Sequence, residues 1–371
     1  MRLGLICRPF SFHGGVETAT AGLLTALRHA GHDVELISTR RQASVPGLVV
    51  RRVPTLRHPS VLRLISFAVA AQAAAARHGY DLVQSHERAL RQDLYRAGEG
   101  SHAAYLEAMG RRVAGLNPYH RLVLVLERRI FELRSARHVV AISQQGKEEI
   151  ERRYRTDPAR VTLIYNGVDL ERFHPDNRRR HRRPTREALR IPHDAWTVLF
   201  VGSGFERKGL GPLLEAFARG RDAGSRLVVT GKGEVARYQN LAARLGIAER
   251  TIWTGAKEEV ERLYAAADVV ALPARYEPFG NVHLEALASG VPVVTTTRAG
   301  GAEVVAEGRA GEVLEPDDEE GIAAAMERYT AGEPAVADAA RRCAEPFTYA
   351  AQVTALTEIY RRHVAAKAHL P

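Results

Sequence analysis

Short runs of apolar, β-branched residues recur along the chain, each followed by a longer stretch with the spacing of an amphipathic helix. This alternation predicts an α/β protein in which parallel sheets are covered by helices on both faces. In the first half the predicted strands are Arg2–Cys7, Gly31–Ser38, Leu48–Val53, Asp81–Glu87, Asp93–Gly100, His138–Ser143 and Val161–Tyr165. Helices are predicted up to about Ala30, over Val61–Arg77, and after Ser143, whose hydroxyl suits an N-cap.

Asn166-Gly167-Val168-Asp169, followed by Phe173-His174-Pro175, is turn chemistry that interrupts the alternation. A boundary placed there gives a first domain of residues 1–168 and a second of residues 169–346. The arginine run from Arg178 through Arg183 reads as a solvated connector. The alternation then restarts, with a strand at Trp196–Val201, a helix at Leu210–Arg219, and strands at Arg226–Thr230, Thr251–Thr254 and Val269–Leu272. A helix at Val282–Ala288 is ended by Gly290, and a helix from Pro346 to about Ala366 closes the chain.

Candidate chemistry gathers where glycine turns precede predicted helices, because a helix start offers backbone N–H groups and a positive dipole end to anions. Gly14-Gly15, with Glu17 just beyond, is one such turn. A second is Gly202-Ser203-Gly204-Phe205-Glu206-Arg207-Lys208-Gly209. Its glycine spacing and the lack of an acid after the next strand exclude a dinucleotide fingerprint, and it lacks the Lys-Ser/Thr order of a P-loop. There remains a glycine-rich loop with adjacent cations, Arg207 and Lys208, suited to a diphosphate. The third runs through Glu277-Pro278-Phe279-Gly280-Asn281, with Glu285 inside the helix that follows. Taken alone, the two glutamates also fit an ordinary capped surface helix. His86 and Glu99 end predicted strands, the edge where open parallel sheets bind ligands, and Gly98 and Gly100 leave room around Glu99.

Composition narrows the setting. The 371 residues, 45% hydrophobic and 26% charged, suit a soluble protein of two domains. Cys7 and Cys343 are the only cysteines, which gives no disulfide framework and no thiolate metal site, and fits a reducing cytoplasm. No apolar run is long enough to cross a bilayer, and the first residues read as a core strand rather than a secretory signal. The net charge of +10 asks for anionic partners: nucleic acid, a membrane surface or small molecules. Ala103–Arg137 mixes Tyr105, Arg111, Arg112, Tyr119, His120, Arg121, Arg128, Arg129 and Arg134 with the apolar Leu122–Leu126. It fits a helix lying in a membrane interface and, equally, a core helix with snorkelling arginines.

Four motifs then make the chain recognisable. Over essentially its whole length it resembles the retaining glycosyltransferases of family 4, whose GT-B architecture sets two Rossmann-like domains facing each other across a cleft. Gly14-Gly15-x-Glu17, Asn166-Gly167-Val168-Asp169, Gly202 through Gly209, and Glu277-x7-Glu285 stand in the family's order. The Gly202–Gly209 variant and Asp93-x-Tyr95-x-Ala97 are most similar to the lipopolysaccharide core glucosyltransferase branch.

The resemblance implies roles. Arg207 and Lys208, on the loop begun by Gly202, hold the donor diphosphate, and the Gly14-Gly15-x-Glu17 turn lets the first domain approach it. Thr254 and Gly255 meet the base through the backbone. Glu277 holds sugar hydroxyls, the turn Phe279, Gly280, Asn281 and Val282 supplies N–H groups to sugar and phosphate, and Glu285 holds the ribose. Glu99 stands where many members have a histidine and is the candidate carboxylate near the reacting sugar. The reaction implied is same-face transfer of a hexose, glucose by the branch, from UDP, with no metal and no cofactor, since the nucleotide sugar is a substrate. The last helix, about 347–371, crosses back to the first domain. The implied acceptor is an anionic glycolipid or lipopolysaccharide core at the inner membrane surface, approached by His86, Arg111, Arg112, Tyr119, Arg121, Arg128 and Arg129, which makes the protein a cytoplasmic one bound peripherally to that membrane. A small soluble acceptor would leave every donor motif unchanged. Nucleic acid is set aside, because aromatic stacking motifs are lacking and the arginines are dispersed.

Overall fold

The computed structural model describes residues 1–9, 15–42, 47–111, 117–220, 224–305, 309–329 and 333–368, the side chains of 15–18 and 368 excepted. Gly14 and Arg112 lie outside the described residues, as do the side chains of Gly15 and Glu17.

Two compact units are present, dividing between Tyr165 and Asn166 and again between Thr348 and Tyr349, with Gly15–Ala19 grouped with the second, which also holds the Asn166–Asp169 turn. The first holds strands β1 (Arg2–Ile6), β2 (Asp33–Thr39), β3 (Val49–Val53), β4 (Leu82–Ser85), β5 (Gln92–Arg96), β6 (Ala136–Ala141) and β7 (Val161–Leu163). Its helices are α1 (Gly15–His29), α2 (Ser60–Arg77), α3 (His102–Ala108), α4 (Pro118–Phe131) and α5 (Gln144–Tyr154). The second runs α6 (Asn177–Ala188), β8 (Thr197–Val201), α7 (Leu210–Arg219), β9 (Arg226–Thr230), α8 (Val235–Arg244), β10 (Thr251–Gly255), α9 (Val260–Ala266), β11 (Val269–Leu272), α10 (Val282–Ala288), β12 (Val293–Thr296), α11 (Ala302–Val305), β13 (Gly311–Leu314), α12 (Glu319–Glu327) and α13 (Pro334–Ala344). The last helix, α14 (Tyr349–Ala368), belongs to the first unit.

Both sheets are parallel, in the orders β3-β2-β1-β4-β5-β6-β7 and β10-β9-β8-β11-β12-β13. The central strands are buried on both faces and read as nearly unbroken apolar runs, while the edge strand β3, Val-Val-Arg-Arg-Val, is partly exposed. In β1 the two-residue alternation sends Leu3, Leu5 and Cys7 against Leu23, Leu24 and Leu27 of α1, while Ile6 packs with Phe67, Ala71 and Ala75 of α2. Val353, Leu356, Ile359 and Tyr360 of α14 complete the first of these layers. Tyr360 donates its hydroxyl to Gln84 Oε1 at 2.7 Å, and a Cβ on Gly22 would meet the Tyr349 ring at 2.3 Å.

The arginine run is not a connector. Arg178, Arg182 and Arg186 line one side of α6 at four-residue spacing and converge on Asp268, at 3.0, 2.7 and 2.9 Å. Arg186, 1% exposed, also donates to the carbonyls of Ala266, Pro192, His193 and Ala195. Asp268 accepts in addition from the Thr197 N–H at 2.9 Å, so the pairing fixes α6 against the start of β8 and β11.

In each sheet the chain turns back from one edge to the other between two neighbouring central strands, β1 and β4 in the first, β8 and β11 in the second. Beyond the carboxyl ends of such a pair the following loops part and leave a crevice.

Candidate active site

In the second unit the two loops at that position carry the strongest candidates. After β8, Gly202 lets the chain turn while the Lys208 stem crosses it, since a Cβ there would meet Lys208 Cδ at 2.2 Å. After β11, Glu277 Oε2 lies 2.8 Å from both Lys208 Nζ and Arg207 Nη1. Arg207 Nη1 also donates to the Tyr276 carbonyl at 2.9 Å, and the Arg207 carbonyl accepts from the Arg275 N–H at 3.0 Å, so the two loops are tied through one residue. Burial would raise the Glu277 pKa, but Lys208 and Arg207 outweigh it and bring it down to about 2. The carboxylate remains ionised beside two cations.

The loop holding Glu277 is fixed from its other side. Glu277 N–H donates to the Arg298 carbonyl, Gly300 N–H to the Glu277 carbonyl, and Gly301 N–H to the Phe279 carbonyl, at 3.0, 2.8 and 2.7 Å. Gly280 takes φ +79°, a conformation open to glycine at little cost. His283, wholly buried, spans the turn, with Nδ1 2.7 Å from the Gly280 carbonyl and Nε2 2.8 Å from Thr295 Oγ1. Burial lowers its pKa to about 4, so the ring is neutral. A carbonyl can only accept, so Nδ1 carries the hydrogen, and Nε2 lies beside the Thr295 hydroxyl, which donates to the Leu272 carbonyl at 3.0 Å.

The other donor candidates of the second unit lie on the turn after Glu277, in α10 and at the end of β10. Asn281 accepts on Oδ1 from Asn166 Nδ2 at 2.7 Å, while the side chains of Phe279 and Val282 are buried. Glu285 is buried in α10 and accepts on Oε2 from the Tyr264 hydroxyl at 2.7 Å. Burial raises its pKa, partly opposed by that hydrogen bond. Thr254 and Gly255 end β10, and the Gly255 carbonyl accepts from Thr230 Oγ1 and from the Gly231 N–H.

In the first unit, Glu99 follows β5 and is gripped by two arginines: Arg8 Nη2 reaches Oε1 and Arg88 Nη1 reaches Oε2, both at 2.8 Å. Burial works against its ionisation, yet Arg8 and Arg88 hold its pKa below the usual range, and its side chain keeps 39% exposure. Arg88 also donates through Nη2 to Glu127 Oε1, 2.8 Å away and buried. His86 accepts from Gln84 across 2.9 Å, and burial, with Arg96 beside it, holds its pKa well below the ordinary value. His86 is thereby a neutral, half-buried neighbour of the sheet.

The Ala103–Arg137 region divides into α3 and α4. Val123, Leu126, Ile130 and Phe131 of α4 face the interior, as the core-helix alternative required, while Val125 and Leu133 stand outside at 57% and 64% exposure. Arg121 and Arg129 are exposed, Arg128 pairs with Glu132 at 2.6 Å, Tyr119 is half-buried, and Arg111 lies over the Tyr105 ring at 5.8 Å. Among the described residues no three His, Cys, Asp or Glu side chains gather as a metal would require.

Residues 13–172 match Glycosyltransferase Family 4 and residues 181–345 match Glycosyl transferases group 1. A probable transglycosylase of Burkholderia thailandensis is 31% identical over 87% of this chain and 84% of its own. The chain is a group 1/family 4 glycosyltransferase. A D-inositol 3-phosphate glycosyltransferase of Catenulispora acidiphila is 29% identical over 95% of this chain and 90% of its own, and the lipopolysaccharide glucosyltransferase WaaG of Escherichia coli 25% over 83% of each. The crystal structure of WaaG superposes with a TM-score of 0.85 over 97% of this chain and 99% of that one at 23% identity, which makes the fold GT-B. An Anabaena HepE structure containing UDP-glucose gives 0.76 over 98% and 100% at 19% identity.

Three residues that contact the candidates had no role in the sequence reading: His283, Tyr264 and, as a partner of Asn281, Asn166. Each acts by fixing another candidate. His283 carried the one readable sign, a polar residue in a predicted helix that is otherwise apolar on most sides.

Proposed function

We propose that this glycosyltransferase moves a hexose, glucose in the first instance, from UDP to a phosphate-bearing glycolipid of the lipopolysaccharide core type, with retention and without a metal, at the inner face of the cytoplasmic membrane. The observation that carries the donor half is the convergence of Arg207, Lys208 and Glu277 after β8 and β11. Transfer builds negative charge on the leaving phosphate and positive charge at the anomeric carbon. Arg207 and Lys208 meet the first, and Glu277, kept ionised, accepts from sugar hydroxyls. The donor phosphate oxygen takes the acceptor proton as it leaves, so attack occurs from the face it vacates. Glu99 enters as an ionised carboxylate. Full transfer activity in Glu99→Gln would remove it from the reaction.

UDP as carrier is supported by the UDP-glucose in HepE, and glucose by the name of WaaG. The relatives named for D-inositol 3-phosphate favour a second reading, a small soluble phosphorylated acceptor. The test is a hydrolysis screen over UDP- and GDP-sugars, then transfer to a lipid-linked core acceptor or to inositol phosphate with the product anomer read by NMR. Turnover of GDP-sugars alone, or an inverted product, refutes the donor half.

A further inference from the structure

The first unit contains a cavity of about 530 Å³ at the carboxyl ends of β1, β2, β3 and β4, within the size range of small-molecule sites. Arg40 and Arg41 follow β2, Arg57 follows β3, and Arg63 stands in the first turn of α2. Leu56, Leu64 and Phe67 form its apolar wall. Its single carboxylate among the described residues, Glu87, is already engaged by the remaining arginine, Arg8, through Nε at 2.7 Å and Nη2 at 2.9 Å. No carboxylate among the described residues pairs with Arg40, Arg41, Arg57 or Arg63. The four arginines are exposed to solvent and line one cavity, and a phosphate there, with up to two charges and several acceptor oxygens, satisfies the forks of two or three of them.

We propose that this cavity binds a phosphate group of the acceptor. Calling it the acceptor's site rests on the glycosyl-transfer reading; the anion chemistry does not. The diphosphate of the donor is assigned to Arg207 and Lys208, neither of which lines this cavity. Its wall adjoins the outer side of α2, where Leu62, Ile65 and Val69 stand 44%, 42% and 52% exposed at helical spacing. A phosphate in the cavity and aliphatic chains on that stripe would describe one amphipathic molecule.

The test uses the full chain and two double variants of equal charge, Arg57→Ala with Arg63→Ala, and Arg179→Ala with Arg183→Ala on exposed positions of α6. Inorganic phosphate is titrated at low salt by ³¹P NMR, UDP by calorimetry, and binding to phosphatidylglycerol vesicles by sedimentation. The expected result is saturable phosphate binding that weakens at least tenfold in the first variant alone, with UDP affinity unchanged. Equal phosphate binding in all three proteins, or an equal loss in both variants, overturns the proposal. Vesicle binding lost with the first variant assigns the phosphate to a lipid head group; loss of phosphate binding without vesicle binding in any protein assigns it to a soluble acceptor. Failure of the wild type to bind UDP strikes the donor reading while leaving the phosphate difference in place.

Discussion

Glu277 offers one oxygen, Oε2, to two cations at once. Because its pKa falls from 4.5 to about 2 on folding, it favours the folded state above pH 4.5, and that contribution, about 3 kcal/mol, is lost as pH falls towards 2. Urea denaturation of wild type and Glu277→Gln across pH 5 to 2.5 will show a shallower loss of stability in the variant; parallel curves would mean the carboxylate is not held as described. On the proposed donor site, Lys208→Ala removes one charge-assisted contact to phosphate, worth roughly 1.5–3 kcal/mol, so UDP binding measured by calorimetry weakens about tenfold or more. Unchanged affinity would remove Lys208 from the donor site. The identities of Arg207, Lys208 and Glu277 were legible because they sit in glycine-punctuated loops after apolar strands. Their mutual pairing was not, since it joins positions 70 residues apart.

At the scale of elements, α6 is the case where pattern reading failed. Its sequence has no apolar stripe, so a search for hydrophobic periodicity finds nothing, and the side facing inward is made of arginine. The period of four at Arg178, Arg182 and Arg186 was present in the sequence, but the acid that gives it meaning lies 82 to 90 residues downstream. Asp268→Ala leaves three cations against the unit, one of them fully buried, and will cost about 3–5 kcal/mol in chemical denaturation. Arg183→Ala, with a side chain 79% exposed, will cost less than about 0.5 kcal/mol. Equal effects would show that α6 is not anchored through Asp268. For α4 the sequence disclosed an apolar helix without disclosing which flank is inward, because Leu122–Leu126 is apolar on consecutive positions and only packing separates Val123 from Val125.

For the whole molecule, the alternation of strand and helix was legible over most of the length, since a strand buried on both faces leaves its mark locally, but not at α6, read as a connector, nor from β13 to α13, where no element was predicted. Which sheet the last helix joins came from the family resemblance alone, because Val353, Leu356, Ile359 and Tyr360 show a helical stripe but no address. Leu356→Ala, at a wholly buried position, will destabilise the first unit by about 2–5 kcal/mol. Removing residues 349–368 will strip hydrogen-exchange protection from β1, β2 and β4 while β8 and β11 keep theirs; uniform protection in the shortened chain would contradict the packing.

The same arrangement sets an order of events during synthesis. The sheet of the first unit leaves the ribosome early, but α14, which covers one of its faces, emerges only after the second unit has been made in full. The part translated first is therefore finished last, and until then its apolar strands are exposed to chaperones and proteases. A stop or frameshift anywhere before Tyr349 would yield a polypeptide recognisable as unfinished at its opposite end.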